Sequence, residues 1–381
     1  MRNLVTIQTV KDVEPIPGKD RIVLASFVSV GWKVIVGVDT KPGDKMVYCE
    51  PDTVLPVRPE FEFLRSRCYN EKWNGFRIKQ MKMAGVMSYG LAIPIKDVPG
   101  VSEKFCNGKD LTTEIGAIKY DPELLEEQKE GSKKKYNFLL RILFHIPAFK
   151  EWYFHRNKAY WPKFVSKTDE TRVQTLQYVF NDLQNKMVFI TEKVDGQSAT
   201  FALKDGLFYV CSRNLCITKD KIRSLKRYAQ QQSKYLETAK KFDIAAKLKK
   251  YKKDTGHDIY IQGEQMGPGI QGNKYGFDSL RFFVFNVFDI TSGVYLNGND
   301  TRNFCQEYGF DMVPFVYEGQ FTWKTTEELL EFTKGNSKLY PIPREGIVIR
   351  SQKTLPPASG MSLQYSFKAI NPDFLIKYNL E

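Results

Sequence analysis

The predicted fold of this chain depends on Thr191-Glu192-Lys193-Val194-Asp195-Gly196-Gln197-Ser198, a stretch that directly follows the apolar run 187–190. An apolar run that ends in charged residues and a glycine predicts a buried strand followed by a turn. A lysine fixed at a strand end can act as a covalent nucleophile when burial or neighbouring cations lower its pKa. Asp195 points the same way along an extended chain and can hold a metal, and Gly196 lets the backbone approach a nucleotide closely. An exposed strand followed by a turn, with no catalytic or binding role, explains the same residues.

The composition is that of a globular protein with a large positive charge. The 381 residues suffice for two or three domains, 42% of them are hydrophobic, and the mean hydropathy is -0.40. The formal net charge is +13 and the pI is near 9.2. We therefore expect the chain to attract phosphate polymers or acidic membrane surfaces.

The cysteine and histidine content argues against several kinds of site. There are 6 cysteines without a Cys-x-x-Cys pair and only 3 histidines, so a zinc site and Ser-His-Asp or Cys-His catalysis are not expected. The N-terminus has no signal-peptide core, and no apolar run is long enough to cross a membrane. The sequence predicts reduced thiols, a reducing intracellular compartment (cytoplasm or nucleus), no stable membrane association and no obligate protein partner.

Residues 1–115 contain many short strands separated by Gly and Pro turns, which predicts a small β-barrel. The segment 77–83 alternates basic with apolar residues. A strand there would present Arg77, Lys79 and Lys82 on one cationic face that could bind a nucleic-acid backbone. A solvated edge strand protected by lysines explains the pattern equally well.

Residues 116–164 are predicted to be a linker or insertion that is partly helical. They contain the charged run 130–135 and the aromatic-rich stretch 136–161. Such a stretch with basic flanks suits a helix at a membrane interface. Because Pro147 and internal charges interrupt it, packing between two domains is the favoured interpretation.

From residue 178 onward, strands alternate with helical segments. Strands are predicted over 187–192, 199–203, 207–211, 258–263, 281–289, 345–350 and 363–369, and a helical segment over about 221–252.

Further segments after Lys193 carry charged or aromatic side chains at predicted strand ends. They provide Arg213, Glu264, one ring of the segment 282–288, Glu345 and Lys368. Carboxylates can hold a metal, cations can bind phosphate oxygens, and an aromatic ring can stack on a purine. Together these are the parts needed to transfer a nucleotidyl group through a lysine adduct.

In this order the segments resemble the covalent nucleotidyltransferase superfamily of ATP-dependent RNA and DNA ligases and RNA capping enzymes. Lys193-Val194-Asp195-Gly196 is the nucleophile motif in that comparison. The chain looks most like the Deinococcus- and Naegleria-type RNA ligases, which carry an OB domain before the catalytic domain. The segment 167–174 and the Gly-Pro-Gly-Ile-Gln-Gly-Asn loop at 267–273 support this choice.

The resemblance implies an α+β fold in three parts. An N-terminal OB-type β-barrel (1–115) binds RNA, and 116–164 is the linker or insertion. A C-terminal nucleotidyltransferase domain (165–381), an ATP-grasp-like ligase domain, is built on antiparallel sheets with flanking helices.

The resemblance also implies an ATP-dependent RNA ligase with Mg²⁺ or Mn²⁺ as the metal. Such an enzyme joins 3′-hydroxyl and 5′-phosphate RNA ends, in nick sealing or RNA repair, through a lysyl-AMP and an adenylylated RNA end. AMP and pyrophosphate are released. The RNA partner is nicked or broken, including ends held in a duplex.

Residue roles follow from the matched motifs. Lys193 is the nucleophile and Lys368 a catalytic cation. The nucleotide contacts are Arg172, Arg213, Glu264, Phe285 and Lys368. The metal's hydration shell is organised by Asp195, Glu264 and Glu345. RNA is bound by Arg77, Lys79, Lys82 and Arg213. A metal together with Lys368 is expected to depress the pKa of Lys193.

Two departures from the superfamily pattern matter. The chain ends 13 residues after Lys368, so the C-terminal OB domain of DNA ligases and capping enzymes is not expected. Ser366 stands where many ligases have a second lysine. We expect the contact of that missing lysine to be made by Arg172 or Lys377, or to be absent. The alternatives are a GTP-dependent RNA guanylyltransferase and a catalytically inactive RNA-binding protein of the same fold.

Overall fold

The computed structural model describes residues 3–121, 161–221, 233–352, 361 and 364–378, and the fold is given for those residues. Most of the predicted linker 116–164 lies outside them, as does the aromatic-rich stretch apart from Trp161. The choice between membrane binding and domain packing for that stretch therefore stays a prediction.

The first part of the chain consists mainly of short strands. They are β1 (Val5–Pro15), β2 (Ile22–Phe27), β3 (Lys33–Gly37), β4 (Lys45–Cys49), β5 (Thr53–Pro56), β6 (Tyr69–Asn70), β7 (Gly75–Arg77), β8 (Gln80–Met83), β9 (Val86–Tyr89), β10 (Leu91–Pro94) and β11 (Ile118–Lys119). The helical elements are α1 (Arg65–Cys68), α2 (Thr112–Ile115) and the 3₁₀ turns Pro59–Leu64 and Ile95–Asp97.

These strands form a nearly closed antiparallel barrel. One sheet has the order β10-β4-β1-β2-β3, and a second has the order β11-β5-β7-β6. Across the remaining gap, the Ile35 N–H donates to Ser88 Oγ at 3.0 Å. Large apolar side chains fill the interior, among them Trp32, Tyr48, Phe61 and Phe76. The predicted small β-barrel is confirmed.

The predicted strand over 77–83 is wrong, because the segment contains two strands. β7 ends at Arg77, and β8 begins at Gln80 and pairs only with β9. Between them Ile78 is buried in the barrel core, and its N–H donates to Thr53 O at 2.7 Å. Because this anchor separates the strands, Arg77 does not share a strand face with Lys79 and Lys82.

The second part of the chain is built on two mainly antiparallel sheets. Its strands are β12 (Met187–Lys193), β13 (Gln197–Lys204), β14 (Leu207–Cys211), β15 (Cys216–Lys221), β16 (Ile259–Met266), β17 (Arg281–Asp289), β18 (Val294–Tyr295), β19 (Asp311–Met312), β20 (Phe315–Gln320), β21 (Gly346–Ser351) and β22 (Ser366–Ile370). Its α-helices are α3 (Val179–Asp182), α4 (Lys234–Lys241), α5 (Ile244–Thr255), α6 (Gly298–Tyr308), α7 (Thr326–Thr333) and α8 (Pro372–Lys377), with 3₁₀ turns at Val173–Thr175 and Gln271–Asn273.

The two sheets meet at the turn after Lys193. The smaller sheet has the order β20-β12-β21-β22, and the larger one runs β15-β14-β13-β16-β17-β18 with β19 parallel to β17. Helices α4, α5 and α6 pack their apolar faces onto the larger sheet. Antiparallel sheets with flanking helices were predicted and are confirmed. Of the predicted helical segment 221–252, Lys221 belongs to β15, and α4 and α5 account for most of 234–252. Residues 222–232 lie outside the described part of the chain, so the prediction is not tested there.

A loop of the barrel contacts the second part of the chain directly. The Gly31 N–H donates to Gln174 O at 2.7 Å. A Cβ at Gly31 would lie 2.5 Å from both Gln177 Nε2 and Thr326 Oγ1, so a larger residue here would require those side chains to move. The same close approach places the buried ring of Trp32 beside Arg172, whose guanidinium carbon is 5.8 Å from the ring centroid.

None of the six cysteines forms a disulfide, as predicted. None of the helices in the described residues combines the length and the apolar character that crossing a bilayer requires.

Candidate active site

A cavity of about 330 Å³ lies between the barrel and the two sheets. Both parts of the chain contribute to its wall. The barrel supplies Asp52, Arg77, Lys119 and Tyr120, and the second part supplies Asp169, Arg172, Lys193, Asp195, Arg213, Glu264, Phe285, Glu345, Arg350 and Lys368. The cavity therefore brings together nine of the eleven site residues predicted from the sequence and leaves out Lys79 and Lys82.

Strand β12 places Lys193 at the cavity. The strand is buried between β20 and β21, and Lys193 lies opposite Gly346 in the register with β21. Lys193 Nζ is 2.6 Å from Glu345 Oε1. Burial lowers the pKa of Lys193, but nearby carboxylates, above all that of Glu345, raise it by more, so the pKa lies above its ordinary value. The depression of this pKa that was expected from a metal together with Lys368 stays a prediction, since the shift described here comes from burial and from the three carboxylates.

Glu345 immediately precedes β21 and has one oxygen without a partner. Oε1 accepts from Lys193, while Oε2 is buried and makes no hydrogen bond. Burial raises the pKa of Glu345, and the Lys193 ammonium lowers it by less, so the carboxyl titrates above its ordinary range. A buried oxygen without a donor is costly unless a ligand supplies one.

Asp195 follows β12 in the turn that crosses to the larger sheet. Its carboxylate accepts from Lys274 Nζ, and its backbone N–H donates to Tyr275 OH at 3.1 Å. Lys274 and Tyr275 belong to the glycine-rich loop after β16, so that loop is tied to the turn. Lys274 was missed by the sequence interpretation, since nothing in its local pattern indicates a partner 79 residues away.

Glycines beside two of the carboxylates allow strands to approach closely. A Cβ at Gly196 would lie 2.5 Å from Gln265 O, and one at Gly346 would lie 2.3 Å from Ala369 O. Gly196 was predicted to admit a nucleotide. Gly196 lines the cavity, so that role stays a prediction. The Cα hydrogen that a Cβ would replace faces the backbone of β16, so contact between strands also requires glycine at this position.

Glu264 and Phe285 reach the cavity from the larger sheet. Glu264 lies on β16 opposite Ser198, and it interacts electrostatically with Lys193. Phe285 on β17 is partly exposed at the cavity, whereas its neighbours Phe282 and Phe283 are buried in the core. Phe285 is therefore the ring of this aromatic strand that a bound base could contact.

Lys368 on β22 is held beside Arg172. Its backbone N–H donates to Thr171 O at 2.8 Å, and an isolated parallel β-bridge joins Lys368 to Arg172. Burial is the main reason that the pKa of Lys368 is lowered to about 7. Asp169 raises this pKa, and the nearby cations lower it further.

Arg172 is the cation that lies near Lys368, and Lys377 is not part of the cavity wall. Arg172 Nη1 donates to Gln80 Oε1 at 3.1 Å, and Nη2 is 3.6 Å from Asp52 Oδ2. Ser366, which stands where a second lysine was sought, donates to Glu170 Oε2 at 2.7 Å. Arg172 rather than Lys377 is therefore placed to replace that lysine.

The remaining predicted RNA contacts separate into two groups. Arg77 faces the cavity, where its Nη2 donates to Asp52 Oδ1 at 3.1 Å and its guanidinium lies 3.7 Å from the centre of the Tyr120 ring. Arg213 Nη2 donates to Asp169 Oδ1 at 2.8 Å. Lys79 and Lys82 are exposed outside the cavity.

Arg350 is a cavity residue to which the sequence interpretation gave no role. It is 7% exposed, its Nε donates to Asn286 Oδ1 at 3.1 Å, and its Nη1 donates to Thr191 Oγ1 at 2.9 Å. Burial lowers its pKa. Its sequence signal was an arginine within an apolar strand, which is rare unless the side chain has polar partners.

Within the described residues, no three His, Cys, Asp or Glu side chains are grouped closely enough to form a direct metal site. The carboxylates of Asp195, Glu264 and Glu345 nevertheless border one cavity. Carboxylate oxygens suit Mg²⁺ and Mn²⁺, and the buried Glu345 Oε2 without a donor is compatible with a nearby cation or its water. The residues therefore fit a hydrated divalent cation.

Comparison with known proteins identifies both parts of the chain. A family model described as RNA ligase matches residues 186–370, and a model described as an OB-fold domain matches residues 4–95. No curated protein matches the chain.

Solved structures of one enzyme resemble the whole chain. Naegleria gruberi RNA ligase with PPi is 23% identical, with a TM-score of 0.77 over 100% of both chains. A mutant of that enzyme with AMP and Mn has a TM-score of 0.78 at 23% identity over 100% of both chains. Another mutant, with ATP and Mn, has a TM-score of 0.76 at 23% identity over 99% of this chain and 100% of the other. At this identity the likeness establishes a shared fold. The chain therefore carries an OB-fold domain ahead of an RNA ligase domain.

Proposed function

We propose that this RNA ligase uses ATP to join a 5′-phosphate RNA end to a 3′-hydroxyl end through an adenylate on Lys193. The observation that carries the proposal is the position of Lys193 Nζ. It lies in a cavity that also contains three carboxylates and the cations Arg172, Arg213 and Lys368. The Naegleria enzyme of the same fold has been solved with ATP, AMP and PPi, which supports ATP as the nucleotide.

Three substitutions at phosphorus make up the reaction. Lys193 Nζ attacks the α-phosphorus of ATP, the bond to pyrophosphate breaks, and the amine loses its proton. An oxygen of the RNA 5′-phosphate then attacks the same phosphorus, and the P–N bond breaks. Finally the 3′-hydroxyl attacks the activated 5′-phosphate, and AMP leaves. Positioning and charge neutralisation supply most of the catalysis in such transfers.

Lys193 must lose a proton before it can attack. Glu345 Oε1 is 2.6 Å from Nζ and is the carboxylate positioned to accept that proton. Burial raises the pKa of Glu345 and so favours the protonated carboxyl that this transfer would form, whereas the nearby carboxylates raise the pKa of Lys193 and oppose loss of its proton.

The cations in the cavity provide the phosphate contacts. We assign the β- and γ-phosphates of ATP to Arg172, the α-phosphate to Lys368, and the AMP phosphate or the RNA end to Arg213. Phe285 would contact the adenine. Arg77 faces the cavity and is assigned to the RNA end, while Lys79 and Lys82 would contact RNA outside it.

A divalent cation, Mg²⁺ or Mn²⁺, would neutralise charge on the α-phosphate when bound. Asp195, Glu264 and Glu345 would hold it through its water ligands. Asp195 forms an ion pair with Lys274, and this pair would have to break before Asp195 could interact with the divalent cation.

The domain division that we propose is 1–115 for the OB-fold domain, 116–164 for the linker or insertion, and 165–381 for the catalytic domain. The RNA partner is a nicked or broken strand, including ends held in a duplex.

Intact-mass measurement tests the first step. Purified protein is incubated with ATP or GTP and Mg²⁺ or Mn²⁺, with Lys193→Ala in parallel. We expect an AMP adduct on the wild-type protein and none on Lys193→Ala. A GMP adduct would favour the guanylyltransferase instead. No adduct, on protein first shown to carry no AMP, would favour an inactive RNA-binding protein.

Gel analysis of RNA joining tests the end chemistry. Matched substrates carry 5′-phosphate or 5′-hydroxyl ends and are offered as duplex nicks or as single strands. We expect joining only of 5′-phosphate ends. Equal joining of 5′-hydroxyl ends would contradict the proposed chemistry even if the AMP adduct forms.

A further inference from the structure

Two of the cysteines lie directly opposite each other at the end of one hairpin. Cys211 is the last residue of β14, Cys216 is the first residue of β15, and the two residues pair in the register of these strands. Both side chains are buried, and the Cys211 thiol is hydrogen-bonded with the thiol of Cys216. The proposed reaction uses neither of these thiols.

The position of this pair in the ladder suits a disulfide. One step closer to the turn, the Ser212 N–H donates to Leu215 O at 2.8 Å, which makes Ser212 and Leu215 a hydrogen-bonded pair. Hydrogen-bonded and non-hydrogen-bonded pairs alternate along an antiparallel ladder, so Cys211 and Cys216 form a non-hydrogen-bonded pair. The Cα atoms of such a pair are about 4.5 Å apart, within the range of about 4.4 to 6.8 Å that a disulfide spans.

The turn between the two cysteines carries a side chain of the catalytic cavity. Arg213 lies in this turn, and its Nη2 donates to Asp169 Oδ1 at 2.8 Å. Lys167 Nζ donates to the backbone carbonyl of Arg213 at 3.1 Å, and Asn214 Nδ2 donates to Asp121 Oδ2 at 3.4 Å. Because the turn is held by partners from other segments, a change of shape at its base moves Arg213 relative to those partners.

We propose that Cys211 and Cys216 are a modification site at which a peroxide forms a disulfide, and that this disulfide slows RNA joining by displacing Arg213. The proposal rests on the proposed function, in which Arg213 is assigned to the AMP phosphate or the RNA end. Opposed residues of two strands have Cβ atoms about 4.5 to 5.5 Å apart, whereas a disulfide holds them at about 3.8 Å. Forming the bond therefore narrows the base of the turn.

Hydrogen peroxide is the oxidant in this step. One sulfur attacks a peroxide oxygen, the O–O bond breaks, and a sulfenic acid and one water form. The second sulfur attacks the sulfenic sulfur, the S–O bond breaks, and a second water leaves with the remaining thiol proton. Two thiols and one peroxide thus give one disulfide and two waters, and two electrons pass from sulfur to oxygen.

The surroundings of the pair make its oxidation slow at neutral pH. Contact with the Cys216 thiol and burial raise the pKa of Cys211 well above its ordinary range. Since the thiolate is the reactive form, the reaction accelerates as pH rises. Burial also restricts the reaction to a small oxidant, or to moments when the end of the hairpin opens.

Peptide mapping of the full chain tests the disulfide without requiring any activity. Trypsin cleaves after Arg213, so the peptides 205–213 and 214–219 carry one cysteine each and stay together only if the disulfide joins them. The reference protein carries Cys68→Ser and Cys106→Ser, which removes the two cysteines that are not buried. It is treated with hydrogen peroxide, alkylated and digested without reductant.

Three further variants are made in this reference protein. Cys211→Ala and Cys216→Ala each remove one partner of the pair, so that the test does not depend on the folding of a single variant. Cys305→Ala is the matched control, because Cys305 is also buried but lies on α6.

We expect linked peptides in the reference protein and in Cys305→Ala, forming about tenfold faster at pH 8 than at pH 7, and none in Cys211→Ala or Cys216→Ala. The joining of RNA that already carries a 5′-adenylate should slow about fivefold or more in the oxidised reference protein. Dithiothreitol should restore the rate. Peroxide should leave the rates of Cys211→Ala and Cys216→Ala unchanged.

Absence of linked peptides at pH 8 with excess peroxide would overturn the modification site. Linked peptides with an unchanged joining rate would overturn the effect on Arg213. A reduced reference protein that forms no AMP adduct and joins no RNA would instead refute the proposed function, while the peptide map would still establish or exclude the disulfide.

Discussion

Lys193 Nζ and Glu345 Oε1 form a 2.6 Å ion pair between the end of one strand and the residue before its neighbour. Both groups are largely enclosed, with side-chain exposures of 26% and 14%. Because the pair sits in the cavity rather than at the surface, loss of one partner leaves the other without compensation.

This pair predicts a pH-dependent stability defect. In Lys193→Met, Glu345 loses the cation that lowers its pKa, so the carboxyl must either ionise uncompensated or keep its proton. Its folded-state pKa then rises further above its unfolded value, so the penalty is small at pH 5 and grows as pH rises. We expect a loss of about 2 kcal/mol at pH 8, measured by denaturant unfolding. Lys193→Met with Glu345→Gln should recover most of it. Equal defects at pH 5 and 8 would contradict this explanation.

The ion pair between Lys274 and Asp195 predicts competition with a divalent cation. Lys274→Ala removes an ammonium that already neutralises Asp195, so the carboxylate becomes available. We expect Mn²⁺ to bind about three- to tenfold more tightly without nucleotide, measured by electron paramagnetic resonance of free Mn²⁺. Lys377→Ala is the matched control, because Lys377 lies on α8 outside the cavity wall. Unchanged Mn²⁺ affinity in Lys274→Ala would show that Asp195 does not take part in binding the cation.

Lys368 predicts a stability that rises with pH. Its pKa is lowered by burial to about 7 from an ordinary value of 10.5, so between these values the unfolded chain binds a proton that the folded chain does not. Folding is then favoured progressively as pH increases through this window. In Lys368→Met this contribution should disappear. The measurement is the thermal midpoint of both proteins from pH 6.5 to 10, and parallel curves would refute the lowered pKa.

Arg77 and Lys79 should differ in their effects on RNA sealing. Arg77 faces the cavity and contacts Asp52 and Tyr120, whereas Lys79 lies exposed beyond the strand break. We expect Arg77→Ala to slow the joining of RNA about tenfold or more, and Lys79→Ala only about two- to threefold. Neither change should reduce formation of the AMP adduct by more than about twofold, since both residues are assigned to RNA. Loss of the adduct in Arg77→Ala would move that residue to the nucleotide step.

Much of the catalytic domain could be predicted because its site residues stand at strand ends with local signals. Lys193, Glu264 and Glu345 each lie at or near the end of an apolar strand with a glycine within three residues, and sheet pairing brings them together. Arg172 was predicted through the segment 167–174 in which it lies. The order of these segments along the chain carried more information than any one of them.

The contributions from the OB-fold domain could not be predicted in the same way. Asp52 and Lys119 occur in ordinary turn and strand-end surroundings, and only the docking of two domains gives them catalytic neighbours. The strand over 77–83 was predicted wrongly because alternation of basic and apolar residues does not reveal that Ile78 is anchored in the core. The alternation of residue types indicates which side chains share a face of a strand, but it does not indicate where the strand ends.

The tight strand contacts at Gly196 and Gly346 have a consequence for judging related chains. Asp195 and Glu345 are held in place by neighbours that have no side chain at all. A relative with alanine at either glycine would keep every acid, base and nucleophile of the reaction, yet its strands would have to separate and carry the carboxylates apart. A related chain can therefore be inactive although all of its reactive residues are present. The residues at the positions of Gly196 and Gly346 would identify such chains.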